Sequence, residues 1–316
     1  MAELGRLGYG AANVGNLYRA LTDEEAWRIL ETAWECGVRY FDTAPHYGLG
    51  LSERRLGAFL CTKPREDYVL STKVGRLLRP NPEGVGRLDD ANDFAVTADL
   101  KRVWDFTADG IRRSLEESLE RLGLDAVDIV YLHDPERYDL RRGLDEGLPA
   151  LAKLREEGLV SAVGVGSMST EALLATARSG VLDLLMVAGR FTLADQSVAE
   201  EVLPACRAHG VGIVGAAVFN SGLLASAVPS ENARFDYAPV APDLLTRTRR
   251  IASVCADFDV TLPQAALHYL FQEPMVRTVV IGGATPDQVR ENAANLERAV
   301  PTELWTRLRE EGLVAM

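Results

Sequence analysis

The chain has 316 residues, 47% of them hydrophobic and 25% charged, and these fractions are close to globular averages and argue against an intrinsically disordered chain. The formal net charge of −12 disfavours nucleic acid or an anionic membrane as a partner and favours small-molecule chemistry. No apolar run reaches the ~18 residues of a membrane span, and the start MAELGRLGYG lacks the basic and apolar regions of a signal peptide, so we expect a cytoplasmic protein.

Short apolar runs typical of buried strands recur along the chain, and most are followed by a segment with helical spacing of its apolar residues. The predicted strands are Leu7–Gly10, Tyr40–Thr43, Tyr68–Lys73, Val127–His133, Ala162–Gly166, Leu184–Gly189, Gly212–Ala217 and Val276–Ile281. Thr22 and Glu25 form a capping box before the first helix. Later helices are predicted over Ala108–Leu122, Leu144–Glu157, Thr170–Ser179, Val198–His209 and Asp243–Phe258, from Thr261, near Pro286 and over Pro301–Glu311.

Eight strand and helix repeats predict an α/β fold whose parallel sheet closes into a (β/α)8, or TIM, barrel with an extra C-terminal helix. An open doubly wound sheet is the alternative. Two insertions rich in Pro, Gly, Asn and Asp, Gly75–Phe106 and Val218–Ala241, are predicted to be long functional loops at the C-terminal face of the barrel. Because no linker or low-complexity tract appears, we expect one domain over residues 1–316.

Polar side chains follow three neighbouring predicted strands at their C-terminal ends, where barrels of this kind carry their active sites. Asp42 ends the second strand, and His46 and Tyr47 follow in its loop. Lys73 ends the third strand and His133–Asp134 ends the fourth. Taken singly, each of these residues is more simply interpreted as packing, a loop charge or a turn. Together they are predicted to meet at one mouth.

This group of residues favours acid/base chemistry. Lys73 is expected to be partly desolvated and kept charged by Asp42. A cation beside Tyr47 favours the phenolate, so we expect the pKa of Tyr47 to fall from about 10. His133 can donate a hydrogen bond that holds a substrate oxygen against Tyr47.

A metal site is the alternative interpretation, since Asp42, His46, His133 and Asp134 offer ligands to Zn²⁺. Lys73 opposes it by charge repulsion. The cysteines are isolated and suggest neither a zinc site nor a disulfide framework; they are Cys36, Cys61, Cys206 and Cys255.

The motifs FDTAPHYG, VLSTKVG and LERLGLDAVDIVYLHD, in this order and spacing, resemble the aldo-keto reductase superfamily. The resemblance covers nearly the whole chain and implies an (α/β)8 barrel with a catalytic tetrad of Asp42, Tyr47, Lys73 and His133. The segments RSLEESLERLGLDAVDIVYLHDP, AGRFTLADQ and FNSGLLA are similar to a sugar-dehydrogenase branch, which contains L-fucose, L-galactose and D-threo-aldose 1-dehydrogenases with pyridoxal 4-dehydrogenase as a relative.

The resemblance also implies a nicotinamide cofactor bound without a Rossmann fold, its phosphates held by the loops after the seventh and eighth strands. Glycines before the helix near Pro286 suit this task, because backbone N–H groups and the helix N-terminus can cradle a phosphate. The implied cofactor residues are Gly10, Ala11, Asp42, Ser167, Phe219, Ser221, Gly222, Gly282, Gly283, Gln288, Glu291 and Asn292.

The chain departs from the family pattern at several cofactor positions. Gly166–Ser167 stands where many relatives have Ser-Asn, and Ala188 stands where they have Gln. Ala216 replaces the usual stacking Tyr, so we expect Phe219 to stack on the nicotinamide.

The positions that read an NADP phosphate are also changed. Gly282 and Gln288 occupy the places of the basic residues used by NADP-specific members. The Glu291 carboxylate can accept a hydrogen bond from the ribose 2′-OH of NAD and repels the 2′-phosphate of NADP, so NAD is expected. Arg290 is next to Glu291 in the sequence and could bind a phosphate, so NADP stays an alternative cofactor.

The function implied is oxidation of an aldose at C1 to its lactone, with Tyr47 and His133 contacting the substrate and Trp104 as an aromatic platform for a sugar face. The alternatives are an NADPH-dependent aldehyde or ketone reductase, a pyridoxal 4-dehydrogenase, and, in a different class, a non-catalytic nucleotide-binding regulatory barrel. No sequence pattern predicts the oligomeric state or which sugar fits.

Overall fold

The computed structural model describes residues 3–236 and 238–315, so Met1, Ala2, Tyr237 and Met316 lie outside the described residues. Its centre is a closed barrel in which each parallel strand pairs with its sequence neighbours and the last pairs with the first. The strands are β1 (Leu7–Gly10), β2 (Tyr40–Asp42), β3 (Val69–Val74), β4 (Ile129–His133), β5 (Ala162–Ser167), β6 (Leu184–Ala188), β7 (Gly212–Ala216) and β8 (Val276–Ile281). The predicted barrel is confirmed, and the open sheet is excluded.

Amphipathic helices surround the barrel and bury their apolar faces against it. They are α1 (Asp23–Glu35), α2 (Leu51–Leu60), α3 (Ala108–Leu122), α4 (Leu148–Glu156), α5 (Thr170–Ala177), α6 (Val202–His209), α7 (Pro242–Ala256), α8 (Leu262–Tyr269), α9 (Pro286–Glu297) and the C-terminal α10 (Thr302–Glu310). The capping box of Thr22 and Glu25 is present at the start of α1. A π-helical turn, Gly143–Gly147, precedes α4, which begins later than predicted. No prediction covered α2.

Two tyrosines fill much of the barrel interior. Tyr40 on β2 and Tyr131 on β4 are fully buried, and the strands beside them carry glycines. A Cβ atom at Gly8 would lie 2.7 Å from the Tyr40 ring, and one at Gly164 would lie 2.6 Å from the Tyr131 ring. The glycines therefore make room for the rings. The Tyr40 hydroxyl hydrogen-bonds Ser71 on β3, and the Tyr131 hydroxyl hydrogen-bonds that of Tyr40.

The first insertion folds into two hairpins, Arg76–Pro80 with Leu100–Trp104 and Leu88–Asp89 with Phe94–Thr97. It reaches back to the loop after β1, where the N–H of Tyr18 donates to Asp93 O at 2.7 Å and that of Ala95 to Asn16 O at 2.9 Å. The insertion thus lies over the loops of β1 and β2.

The second insertion, Val218–Ala241, contains one short antiparallel pair, Arg234–Phe235 with Ala238–Pro239. Its residue Tyr237 is outside the described residues. Across residues 3–236 and 238–315, no helix combines the length and apolarity that a membrane crossing requires.

Candidate active site

A buried ion pair joins the ends of β2 and β3. The Nζ atom of Lys73 lies 2.5 Å from Oδ2 of Asp42, and the two side chains are 2% and 3% exposed. Lys73 also donates to the carbonyl oxygen of Thr43 at 3.0 Å. Burial alone lowers the pKa of Lys73, but the Asp42 carboxylate and Tyr47 together outweigh it and the pKa is raised. Lys73 is therefore held as an ammonium, as its sequence position predicts.

A chain of hydroxyl groups reaches the other carboxylate oxygen of Asp42 from the barrel interior. Ser71 Oγ donates to Asp42 Oδ1 at 2.7 Å. Because this hydrogen is used, the Tyr40 hydroxyl must donate to Ser71 Oγ, 2.9 Å away, and Tyr131 donates to Tyr40 at 3.2 Å. Burial raises the pKa of both tyrosines, so they remain protonated donors. Asp42 is thus fixed on two sides.

Tyr47 lies in the loop after β2, with the Lys73 Nζ atom 4.8 Å from its ring centroid. Desolvation raises the pKa of Tyr47, Lys73 lowers it, and the net shift is upward. The sequence-based expectation of a lowered pKa is therefore wrong, because loss of hydration outweighs one neighbouring cation. Tyr47 stands in this site as a protonated phenol beside an ammonium.

His133 ends β4 and its ring centroid lies 6.0 Å from that of Tyr47. Burial, followed by the charges of Arg76 and Lys73, holds the pKa of His133 well below its usual value. The imidazole is therefore neutral and offers one N–H donor. Asp134, next along the chain, has a positive φ of 43° and binds Arg76 Nη2 at 2.5 Å.

His46, which has no role in the predicted acid/base group and is a candidate ligand only in the metal alternative, also lies here. Its ring centroid is 5.6 Å from that of His133 and 5.5 Å from that of Phe94 in the first insertion. Burial, and after it the neighbouring arginines, lowers the pKa of His46 to about 2. Arg102 donates to the His46 carbonyl oxygen at 2.7 Å and forms a salt bridge with Asp89 at 2.6 Å. The insertion is thus fastened to the loop that carries Tyr47.

Trp104, the predicted sugar platform, packs within the wall of the first insertion. The Arg76 guanidinium lies 4.3 Å from the Trp104 ring centroid, and Tyr138 stacks on the ring at 5.6 Å with an interplanar angle of 3°. These contacts fix the ring in place. Its contact with a sugar stays a prediction.

The metal alternative gains no support from the geometry. Within residues 3–236 and 238–315, no three His, Cys, Asp or Glu side chains are grouped so that they could hold a metal ion. Asp42, one of the candidate ligands, is occupied by the ammonium of Lys73.

The glycines after β8 lie against the loop after β1. A Cβ atom at Gly282 would be 2.4 Å from Asn13 Oδ1 and 3.3 Å from the Gly10 carbonyl oxygen, so a side chain here would displace Asn13 and press on the Gly10 backbone. The buried Tyr9 hydroxyl donates to the Gly283 carbonyl oxygen at 3.0 Å. Gly282 is exposed, so its backbone can approach a ligand, and this fits a phosphate at this place.

The first two turns of α9 present both polar and charged groups. Gln288 Oε1 accepts from the Ala284 N–H at 2.8 Å, so that N–H is already used. Asn292 Nδ2 lies 3.5 Å from the Gly282 carbonyl oxygen. Glu291 is exposed, and the neighbouring Arg290 pairs with Asp287 at 2.9 Å. The Glu291 carboxylate is therefore accessible to a ribose hydroxyl of a ligand, and the cation of Arg290 is one residue away.

The loop after β7 is held in an unusual conformation. Ala217, Asn220 and Ser221 have φ values of 51°, 44° and 56°. Asn220 is buried and donates to the Gly189 carbonyl oxygen at 3.0 Å, which anchors the loop to the end of β6. Left-handed residues of this kind persist only where surrounding contacts impose them, often at ligand sites.

The remaining predicted cofactor residues occupy different surroundings. Phe219 is half-buried against the core, while Ser221 and Gly222 are exposed. Ala11 is fully buried, its N–H donating to Asp42 O at 2.8 Å and its carbonyl accepting from Ser52 Oγ at 2.7 Å, so it offers no polar group to a ligand.

Ser167, the last predicted cofactor residue, is buried at the end of β5. Its Oγ atom donates to Glu136 Oε1 at 2.7 Å and accepts from the Ser169 N–H at 2.9 Å. Sequence reasoning missed Glu136, although a charge directly after His133–Asp134 and Pro135 is visible in the chain. It also missed Arg76 and Arg102, charges within apolar segments of the first insertion.

Comparisons with known proteins agree with this arrangement. A model of the Aldo/keto reductase family matches residues 6–311. A D-threo-aldose 1-dehydrogenase from Pseudomonas sp is 56% identical over 98% of this chain and 94% of its own length. A pyridoxal 4-dehydrogenase from Microbacterium luteolum is 35% identical over 98% of this chain and 94% of its own. An aldo-keto reductase structure from Bacillus halodurans, in its holo form, superposes with a TM-score of 0.75 over 100% of this chain and 96% of its own, at 24% identity.

The neutral histidines make folding stability dependent on pH. The pKa of His46 is about 2 in the folded chain and about 6.5 when unfolded, so the unfolded chain binds the extra proton between these values. Stability is full above pH 6.5 and is expected to fall on acidification by up to about 1.4 kcal/mol per pH unit for this residue. We expect the free energy of unfolding, measured in urea at pH 7, 6 and 5, to fall less steeply with decreasing pH in His46→Gln than in wild type. The exposed His209→Gln serves as the matched control, and an unchanged slope in His46→Gln would contradict the burial argument.

Proposed function

The chain belongs to the aldo/keto reductase family, and on that premise we propose that this NAD(P)-dependent oxidoreductase oxidises an aldose at C1 to the lactone. The observation that carries the proposal is the buried pair of Lys73 and Asp42, with Tyr47 and His133 beside it. The 56% identity to a D-threo-aldose 1-dehydrogenase supports the aldose as substrate class.

In this proposal, side chains of the site bind the anomeric hydroxyl group and remove its proton. A bound nicotinamide supplies the acceptor for the hydride that leaves C1. Tyr47, as phenolate, takes the proton of the anomeric hydroxyl, and Lys73 stabilises that phenolate before the transfer. Neutral His133 donates a hydrogen bond to the same oxygen and orients it. Loss of one proton and one hydride leaves the C1 carbonyl of the lactone.

The reverse direction is the second candidate, and the protonated state of Tyr47 favours it. A phenol with a raised pKa is ready to donate a proton to a carbonyl oxygen, which is what reduction of an aldehyde or ketone needs. Pyridoxal is a further candidate substrate because of the 35% identical relative. The buried pair of Lys73 and Asp42 beside Tyr47 supports an enzyme over a non-catalytic regulatory barrel.

We propose NAD as the cofactor. Gly282, Gly283 and the first turn of α9 would hold a phosphate, and Ser167 and Phe219 would meet the nicotinamide. Glu291 supports NAD, since an exposed carboxylate can accept from a ribose 2′-OH and repels a 2′-phosphate. The adjacent Arg290 is engaged by Asp287, which reduces what it can offer a phosphate.

The function is tested by a spectrophotometric panel of aldoses with NAD⁺ and NADP⁺. We expect formation of reduced cofactor with at least one aldose, faster at alkaline pH because Tyr47 must be deprotonated. The same panel is run in reverse with aldehydes, ketones and pyridoxal. Absence of turnover with every aldose, alongside turnover of a carbonyl compound, would replace the proposal with the reductase.

Tyr47→Phe should lower kcat by about 10²- to 10⁴-fold, which is the usual contribution of a general acid or base. The cofactor Kd should stay within a few fold, because no phosphate contact is removed. Tyr138→Phe, which removes a hydroxyl from the wall of the same mouth, is the control and should keep nearly full activity. Activity of Tyr47→Phe within a few fold of wild type would show that the proton-transfer role is misassigned.

Glu291→Gln should reduce the preference for NAD⁺ over NADP⁺ by about tenfold, since a charge-assisted hydrogen bond is lost and repulsion of the phosphate is relieved. The ratio of the two Kd values, measured by calorimetry, is the readout. Glu297→Gln removes the same charge from the far end of α9 and should leave the ratio unchanged. Equal ratios in wild type and Glu291→Gln would remove Glu291 from cofactor selection.

A further inference from the structure

Three hydroxyl groups inside the barrel form a chain of hydrogen bonds that ends on Asp42. Ser71 Oγ lies 2.7 Å from Asp42 Oδ1, the Tyr40 hydroxyl lies 2.9 Å from Ser71 Oγ, and the Tyr131 hydroxyl lies 3.2 Å from that of Tyr40. None of these four residues is more than 2% exposed. Burying a hydroxyl group is costly unless it is hydrogen-bonded, and phenylalanine would fill the same space as either tyrosine. Packing alone therefore does not account for this chain.

The hydrogen bonds of the chain all run in one direction. Asp42 accepts from the Lys73 ammonium and from Ser71, and each tyrosine then donates to the next oxygen along. Burial raises the pKa of both tyrosines, so they stay protonated. Within residues 3–236 and 238–315, the Tyr131 hydroxyl has no other hydrogen-bond partner. Because the chain links no second proton carrier to Asp42, its effect on that carboxylate is electrostatic.

Asp42 acts on Tyr47 in two opposite ways. It keeps Lys73 charged, and Lys73 lowers the pKa of Tyr47, but the carboxylate itself raises that pKa because it repels a phenolate. Donors to Oδ1 disperse the negative charge of Asp42 and so weaken this repulsion while the carboxylate stays ionised. Lys73 uses two of its three N–H groups on Asp42 and on the Thr43 carbonyl oxygen, which leaves the third for Tyr47.

Other titratable groups also surround Tyr47, and the chain of hydroxyl groups contacts none of them. His133 and Asp134 approach from the end of β4, and His46 lies in the same loop as Tyr47. Arg76 approaches from the first insertion. Removing a hydroxyl group from the barrel interior leaves these four side chains and their partners in place. A change in the acidity of Tyr47 in such a variant would therefore arise through Asp42 and Lys73.

We propose that Ser71 and Tyr40, with Tyr131 behind them, are positioning residues that set the pH at which Tyr47 exchanges its proton with the substrate. The inference rests on the acid/base role of Tyr47 in the proposed function, and it holds for sugar oxidation and for carbonyl reduction alike. Loss of a donor leaves the charge of Asp42 less dispersed, so the Tyr47 phenolate forms only at higher pH. The three residues act through Asp42 and take no proton from the substrate.

The test compares the pH dependence of kcat/KM in wild type, Ser71→Ala, Tyr40→Phe and Tyr131→Phe. In the oxidation direction, we expect the rise of kcat/KM with pH to lie about one pH unit higher in Ser71→Ala, because a hydrogen bond to a charged group is lost. Tyr40→Phe should shift the rise by about 0.3 unit, since it only weakens the donation from Ser71. Tyr131→Phe should shift it less. In the reduction direction, the fall of kcat/KM at alkaline pH should move upward in the same order.

Thr278→Val is the matched control. Thr278 on β8 is fully buried, and its Oγ1 atom has no hydrogen-bond partner in the described part of the chain. Its removal should leave the pH profile unchanged. A second measurement needs no turnover: ¹³C NMR of protein labelled at tyrosine Cζ follows the ionisation of Tyr47, whose signal is assigned by its loss in Tyr47→Phe. We expect the titration of this signal to move upward in the same order as the kinetic profile.

Several results would overturn the assignment. An unchanged Tyr47 titration in Ser71→Ala and Tyr40→Phe, together with a lower free energy of unfolding, would show that the chain only supports packing. A downward shift, or an equal shift in Thr278→Val, would contradict the electrostatic argument. If the NMR titration shifts as expected but no aldose is oxidised, the proposed substrate is wrong and this inference is upheld.

Discussion

The rest of the site depends on the buried ion pair between Lys73 and Asp42. A lysine side chain that is 2% exposed keeps its charge only if a carboxylate compensates its lost hydration. Removing one member of such a pair typically costs about 3–5 kcal/mol, because the other charge is left buried and alone. The pair forms because β2 and β3 are neighbours in parallel register, which brings their C-terminal ends side by side. Tyr47 then has a fixed cation beside it without any movement of the backbone.

The barrel interior supports this pair through hydrogen bonds as well as through packing. Glycines on β1 and β5 leave room for Tyr40 and Tyr131, and the hydroxyl groups of these rings lead through Ser71 to Asp42. Each hydroxyl in the chain donates toward the carboxylate, so its negative charge is stabilised from below while Lys73 stabilises it from above. The glycines that make room for the two rings are in this way connected to the group proposed for acid/base chemistry at the mouth.

The sequence predicts the parts of this protein that local patterns determine. Strand ends follow from apolar runs that stop at a polar residue, so Asp42, Lys73 and His133 could be placed at one face of a barrel. Long-range contacts carry no such pattern. The hydrogen bond from Arg102 to the His46 carbonyl joins residues 56 positions apart, and this contact does not follow from spacing. The raised pKa of Tyr47 does not follow from the sequence for the same reason, since desolvation depends on every group packed around the ring.

Three cations at the mouth form salt bridges with aspartates: Lys73 with Asp42, Arg76 with Asp134, and Arg102 with Asp89. Asp134 also lies 3.9 Å from Arg137. Each pair is nearly neutral. After burial, which is the largest cause, Arg76 and Lys73 contribute to lowering the pKa of both His133 and His46, and Arg102 contributes to lowering that of His46. Imidazoles that stay neutral near pH 7 can orient a substrate oxygen but cannot supply a proton from an imidazolium. In the proposed mechanism, proton transfer therefore falls to Tyr47, whose raised pKa makes the phenolate a minor form that Lys73 must stabilise. The burial and the ion pairs that hold these side chains in place thus also set the free energy needed to form the Tyr47 phenolate.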